Sequence, residues 1–98
     1  MAEIAIAKEM TPTKGRYVAR IDRVEGEAEL TFSRTGPTLV IADHTFAPDS
    51  MRGIGAAKAV VDRLIADARS EGFKIIPLCP YVKGQYLRRP EWADVMQG

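Results

Sequence analysis

The sequence predicts an α/β domain: a mixed β-sheet, one long helix between two parallel strands, and a short helix near the C-terminus. Three observations predict it. Residues 16–34 alternate polar and apolar side chains with the period of half-buried strands. Residues 57–68 carry apolar residues at helical spacing. Between them a β-branched run, Leu39-Val40-Ile41-Ala42, leads through the glycine-bearing segment Met51-Arg52-Gly53-Ile54-Gly55-Ala56-Ala57 into that helix. A β-α-β crossover places its two strands parallel in one sheet.

Taken in order, residues 2–7 alternate weakly through Ile4 and Ile6, an edge strand, before Thr11-Pro12-Thr13-Lys14-Gly15 interrupts. Residues 16–22 and 27–34 form an antiparallel meander with a turn at Val24-Glu25-Gly26. Thr35-Gly36-Pro37 turns the chain into a strand over residues 38–46, whose unbroken apolar run suggests burial on both faces and a central place in the sheet. In the helix, apolar residues fall at Ala57, Val60, Val61, Leu64, Ile65 and Ala68. The pairs Lys58 with Asp62 and Arg63 with Asp67 sit on its outer side, each worth only about 0.2–0.5 kcal/mol, so apolar packing holds the helix. Gly72 ends it. Residues 73–79 read as the second parallel strand, but Pro77 has no N–H to donate and must loosen the ladder there. Cys79 precedes Pro80, a residue favoured at the first position of a helix, which makes Cys79 an N-cap.

The composition bounds the function. The chain has 98 residues, 14 basic and 13 acidic side chains and a net charge of +1, so it forms one domain and has no overall field to draw it to nucleic acid or an anionic membrane. One cysteine allows no intramolecular disulfide, and one histidine beside it is too few for a zinc site, so no metal is expected. With no N-terminal apolar leader or long apolar span, a cytoplasmic protein is the expectation.

A strand, a loop with two close glycines and a helix start together form an anion site, because backbone N–H groups can approach a ligand with no Cβ in the way and the helix end adds donors and positive dipole. The segment is not a P-loop, which would need Gly-Lys-Ser/Thr where the chain has Gly55-Ala56-Ala57-Lys58. Only Gly53 and Gly55 fit a dinucleotide fingerprint. The spacing Arg52, Gly55, Ala57 fits Arg-x-x-Gly-x-Gly/Ala instead.

That spacing, with His44-Thr45, Pro77-Leu78-Cys79-Pro80 and the run from Tyr86 to Trp92 in the same order, resembles the smallest members of the GNAT superfamily of acyl-CoA-dependent N-acetyltransferases. The resemblance spans residues 43–92; the first forty residues share only the strand pattern. It implies a GNAT-like mixed sheet, acetyl-CoA as acyl donor, and an amine acceptor that is a small molecule, a polyamine or a protein lysine. Met51, Arg52, Gly53, Ile54, Gly55, Ala56 and Ala57 would hold the pyrophosphate, and Thr45, Phe46 and Ala47 would offer freed backbone groups to the pantetheine arm. Lys83, Arg88 and Arg89 flank the helix that starts at Pro80 and could pair with the adenosine 3′-phosphate of CoA or with nucleic-acid phosphates; simple solvation is the alternative.

For the chemistry, the resemblance puts Cys79 beside the thioester, where it either accepts the acyl group or packs against the pantetheine; a small buried hydrophobe is the third option. Tyr86, two helical turns after Cys79 and on the same face, corresponds to the tyrosine that protonates the departing CoA thiolate in larger relatives; the alternative is a core tyrosine. His44 is the only histidine, a side-chain type that titrates near neutrality. Relatives usually carry a glutamate at the position of Phe46. Phe46 cannot act as a base, which leaves His44, a water molecule or an already neutral amine; a structural role for His44 is the alternative. The paired helices that narrow the acceptor groove in larger relatives are absent: residue 21 passes to residue 27 in a short turn, so the acceptor side should be open. A CoA-binding or interaction module without catalysis is the alternative.

Overall fold

The computed structural model describes residues 4–51 and 54–97. Strands β1 (Ile4–Met10), β2 (Lys14–Ile21), β3 (Ala28–Gly36) and β4 (Leu39–Phe46) form an antiparallel meander, followed by a 3-10 turn (Asp49–Met51), helix α1 (Ala56–Glu71), strand β5 (Lys74–Ile76), helix α2 (Pro80–Arg88) and a 3-10 turn (Pro90–Asp94). The sheet order is β1-β2-β3-β4-β5, with β5 parallel to β4 as the crossover requires. The expected edge strand is longer than residues 2–7 and pairs along its whole length with β2, Ile4 opposite Ile21 through Met10 opposite Gly15.

Both helices lie on one side of the sheet. Tyr17, Ala19 and Ile21 of β2, Ala28, Leu30 and Phe32 of β3, and Val40 and Ala42 of β4 form a core with Val60, Val61, Leu64 and Ile65 of α1, Val82 of α2 and Trp92. Ala56 rather than Ala57 is the buried alanine at the start of α1. A left-handed Gly72, φ 79°, ends α1 and returns its N–H to the Ala68 carbonyl. Against the expectation for β4, Leu39 and Ile41 are only half-buried, because no helix covers the second face of the sheet among the described residues.

The second parallel strand is shorter than residues 73–79. It pairs through Leu39–Lys74, Val40–Ile75 and Ile41–Ile76 and then stops, since Pro77 has no donor to extend the ladder. The Leu78 N–H turns back to the Ile76 carbonyl, and the Cys79 N–H reaches the Ala42 carbonyl at 2.8 Å. The outer side of β5 is taken up by the C-terminal segment: the Ile75 N–H donates to the Val95 carbonyl and the Gln97 N–H to the Ile75 carbonyl. Trp92 anchors this return, 5% exposed with the Arg89 guanidinium 5.2 Å from its ring centroid.

A β-bulge sets the phase of the functional end of β4. Thr31 pairs with His44 but Phe32 with Ala42, so Asp43 is one residue too many. Strict alternation from Val40 and Ala42 would send His44 and Phe46 into the core. The bulge reverses it: Thr45 turns to the helix side, while His44 and Phe46 point to the open face.

Candidate functional site

Beyond Ile41 and Ile76 the parallel strands part. From Asp43 to Phe46, β4 keeps only its β3 neighbour, and its other edge looks into the gap before α2. The Thr45 hydroxyl lies there 3.3 Å from the Cys79 sulfur, and Cys79 is 2% exposed. Cys79 is the N-cap of α2 and Pro80 its first residue, as the Cys-Pro order predicts.

Beside the gap is a cavity of about 400 Å³ lined by Ala47, Met51, Gly55, Ala56, Ala57, Lys58 and Tyr81. Gly55 caps α1 with φ 93° and no side-chain hydrogen bond. Among the described residues the first N–H groups of α1 therefore have neither an intrahelical partner nor a side-chain cap, and a Cβ at Gly55 would meet nothing within 4 Å. Uncapped donors at the positive end of a sixteen-residue helix, opening on empty space, suit an anion such as a pyrophosphate. Lys58 adds a cation at this wall. Its ammonium is 2.9 Å from Asp62, whose carboxylate also accepts from Arg89 at 3.1 Å, so two cations share one anion. Burial, and then the Asp62 carboxylate, push the Tyr81 phenol above its ordinary range.

The structure thus brings together Thr45 with Cys79, and Ala47, Met51, Gly55, Ala56 and Ala57 around one cavity. Arg52 and Gly53 lie outside the described residues. Ile54 is 40% exposed and does not line the cavity. Tyr86 follows Cys79 and Val82 along one side of α2 and packs half-buried against the core rather than lining the cavity. Lys83 is exposed on α2. Arg89 is engaged with Asp62 and Trp92, which corrects its reading as a free flanking cation. His44 is exposed on the other face of the sheet. Sequence reasoning missed Lys58, read only as the partner of Asp62, and Tyr81. The available signal was their place in the first turns of the two helices that border the gap.

A parallel pair that parts beside an uncapped glycine turn is the architecture the sequence motif implied, and the sequence model of the GCN5-related N-acetyl-transferase family matches residues 16–95. The chain belongs to that family. No helix interrupts the meander among the described residues: β2 passes from Ile21 to β3 at Ala28 without one, as the sequence predicts, and β1 passes to β2 in a turn in which the Thr11 N–H donates to the Lys14 carbonyl. The solution structure, by NMR, of a GCN5-like protein from Staphylococcus aureus superimposes with a TM-score of 0.66 over 98% of this chain and 88% of that one, at 22% identity. At that identity the likeness concerns the fold. Family membership brings acyl transfer as the general chemistry. Among the described residues no three His, Cys, Asp or Glu side chains gather as a metal site.

Proposed function

We propose that this GNAT domain is an N-acetyltransferase that moves an acetyl group from acetyl-CoA to an amine. The parting of β4 and β5 beside the uncapped start of α1 carries this reading, because it offers one ligand both an anion site and a free strand edge. The backbone donors of Gly55, Ala56 and Ala57 would hold the pyrophosphate, with Lys58 at hand for a second phosphate. The free edge of β4 at Thr45 and Phe46, with Ala47 just beyond it, would pair with the amide groups of the pantetheine arm, leading the thioester toward Cys79.

Transfer then needs little from the protein. The acceptor nitrogen, having shed a proton, attacks the thioester carbonyl carbon; a C–N bond forms, the C–S bond breaks, and its electron pair leaves on sulfur. A proton from Tyr86 or from water neutralises that sulfur, and the proton shed by the amine goes to His44 or to solvent. Phe46 supports a second reading, a CoA-binding module without catalysis, since it removes the carboxylate that relatives offer at that place. Two measurements separate these. CoA at a hundred times its Kd should stabilise the fold by about 2.7 kcal/mol, seen as a raised Tm. CoA release with a panel of amines should show turnover. A Tm shift without turnover favours the binding module, and the absence of any shift with millimolar CoA overturns both.

A further inference from the structure

Resting on the acyl-transfer reading, we propose that the acceptor carries a second positive charge, as an aliphatic diamine or polyamine does, and that Phe46 and Glu29 on the open face of the sheet hold it. Phe46 is the residue after Thr45, so it stands at the lip of the gap, on the side away from the cavity. The residue is 51% exposed, a large apolar side chain left in water. Glu29 is its registered partner on β3, and side chains directly opposite in an antiparallel pair share a face. An aromatic face and a carboxylate side by side make a seat for an ammonium group, one by its quadrupole and the other by its charge.

The surrounding charge favours a cation. Glu29 gives one carboxylate oxygen to Arg16 at 2.7 Å. Arg16 is also shared with Glu9 and Glu27, and Arg20 pairs with Glu27. Three glutamates against two arginines leave this cluster with a surplus negative charge, and the Glu29 side chain stays 30% exposed. No helix lies between β2 and β3 at this end of the sheet, and Phe46 is 51% exposed, so the approach is open. A diamine can then place one nitrogen at the gap for acylation while the other, still protonated, stays over Phe46.

The test compares 1,4-diaminobutane with n-pentylamine, equal in length but with a single charge, in wild type, Phe46→Leu, Phe46→Tyr and Glu29→Gln. The readout is the ratio of kcat/KM values, which a change in CoA affinity leaves untouched. Wild type should prefer the diamine about tenfold, with the cation–π contact worth roughly two- to fivefold of that. Phe46→Leu and Glu29→Gln should each lower the ratio several-fold, while Phe46→Tyr keeps it. A peptide with two adjacent lysines is a further arm, and it tells a protein acceptor from a free polyamine. A ratio near one in wild type, or one unmoved by both Phe46→Leu and Glu29→Gln, overturns the proposal. NMR titration with the same amines separates this from failure of the catalytic reading. Amide shifts at Phe46 and Glu29 that follow the diamine and not the monoamine support the seat even without turnover, and their absence overturns it.

Discussion

The Thr45 hydroxyl and the Cys79 sulfur stand 3.3 Å apart across 34 residues of chain. The contact exists because the bulge at Asp43 turns Thr45 to the helix side and because Pro77 ends β5 early enough for Cys79 to cap α2 against β4. Cys79→Ala tests what the pair does. If acyl transfer runs by direct attack, the superfamily's usual route, the variant should keep substantial turnover. Tyr86→Phe should then be the more damaging change, by about 10²-fold for a lost general acid. In a covalent route Cys79→Ala should abolish turnover, and mass spectrometry should find acetyl-enzyme only in proteins that keep the thiol.

Gly55 adopts φ 93° where α1 begins, with open space around it. Gly55→Val should cost about 2 kcal/mol through the left-handed backbone alone, lowering Tm by roughly 4–8 °C per kcal/mol. It should also remove the rise in Tm on adding CoA, because a side chain would then occupy the anion's approach. A stable variant with an unchanged CoA shift would take the anion site away from this helix start.

Gly15 faces the ring of Phe32, and a Cβ there would fall 2.3 Å from its Cζ atom. The ring is buried and leans on Tyr17 with centroids 5.4 Å apart, so it has little room to yield. Gly15→Ala should destabilise by about 1–3 kcal/mol as an overpacked core. Adding Phe32→Leu should then cost less than it does in wild type, a coupling that a double-mutant cycle in urea would measure.

The Tyr17 hydroxyl donates to Asp67 at 2.7 Å, and Asp67 also accepts from Lys8 and Arg63, tying β1 and β2 to α1. Burial and the Asp67 hydrogen bond push the Tyr17 phenol well above its ordinary range. Burial works to raise Asp67, but the bonds from Tyr17, Arg63 and Lys8 outweigh it and hold the carboxyl low. A lowered carboxyl stabilises the fold above the unfolded carboxylate range, and that part is lost as pH falls through the folded value. A raised phenol stabilises below about pH 10 and loses that part as pH rises further. Asp67→Asn should flatten the acid limb of a stability–pH curve, leaving the share of Asp94, which Arg69 also holds low. Tyr17→Phe should flatten the alkaline limb and cost about 1.5 kcal/mol at neutral pH.

Periodicity and punctuation made the elements legible in the chain. The alternation of β2 and β3, the helical spacing of Val60, Val61, Leu64 and Ile65, the stop at Gly72 and the Cys79-Pro80 helix start are local physics, in which each residue acts on its own backbone. The parallel β4–β5 pair followed from the handed crossover, and the glycine turn with its uncapped donors from Gly55 and the residues after it. Tertiary structure decided the rest. Strand periodicity carries no mark of an extra residue, so the bulge at Asp43, and with it the side on which Thr45 and Phe46 emerge, depends on pairing with Thr31 and Phe32. The return of Val95 and Gln97 to Ile75 and the facing of Phe46 with Glu29 join residues far apart in sequence, and no local spacing records them. Lys58 and Tyr81 share a cavity for the same reason: α1 and α2 each place one residue at its wall, and only their packing against a common sheet brings the two walls together.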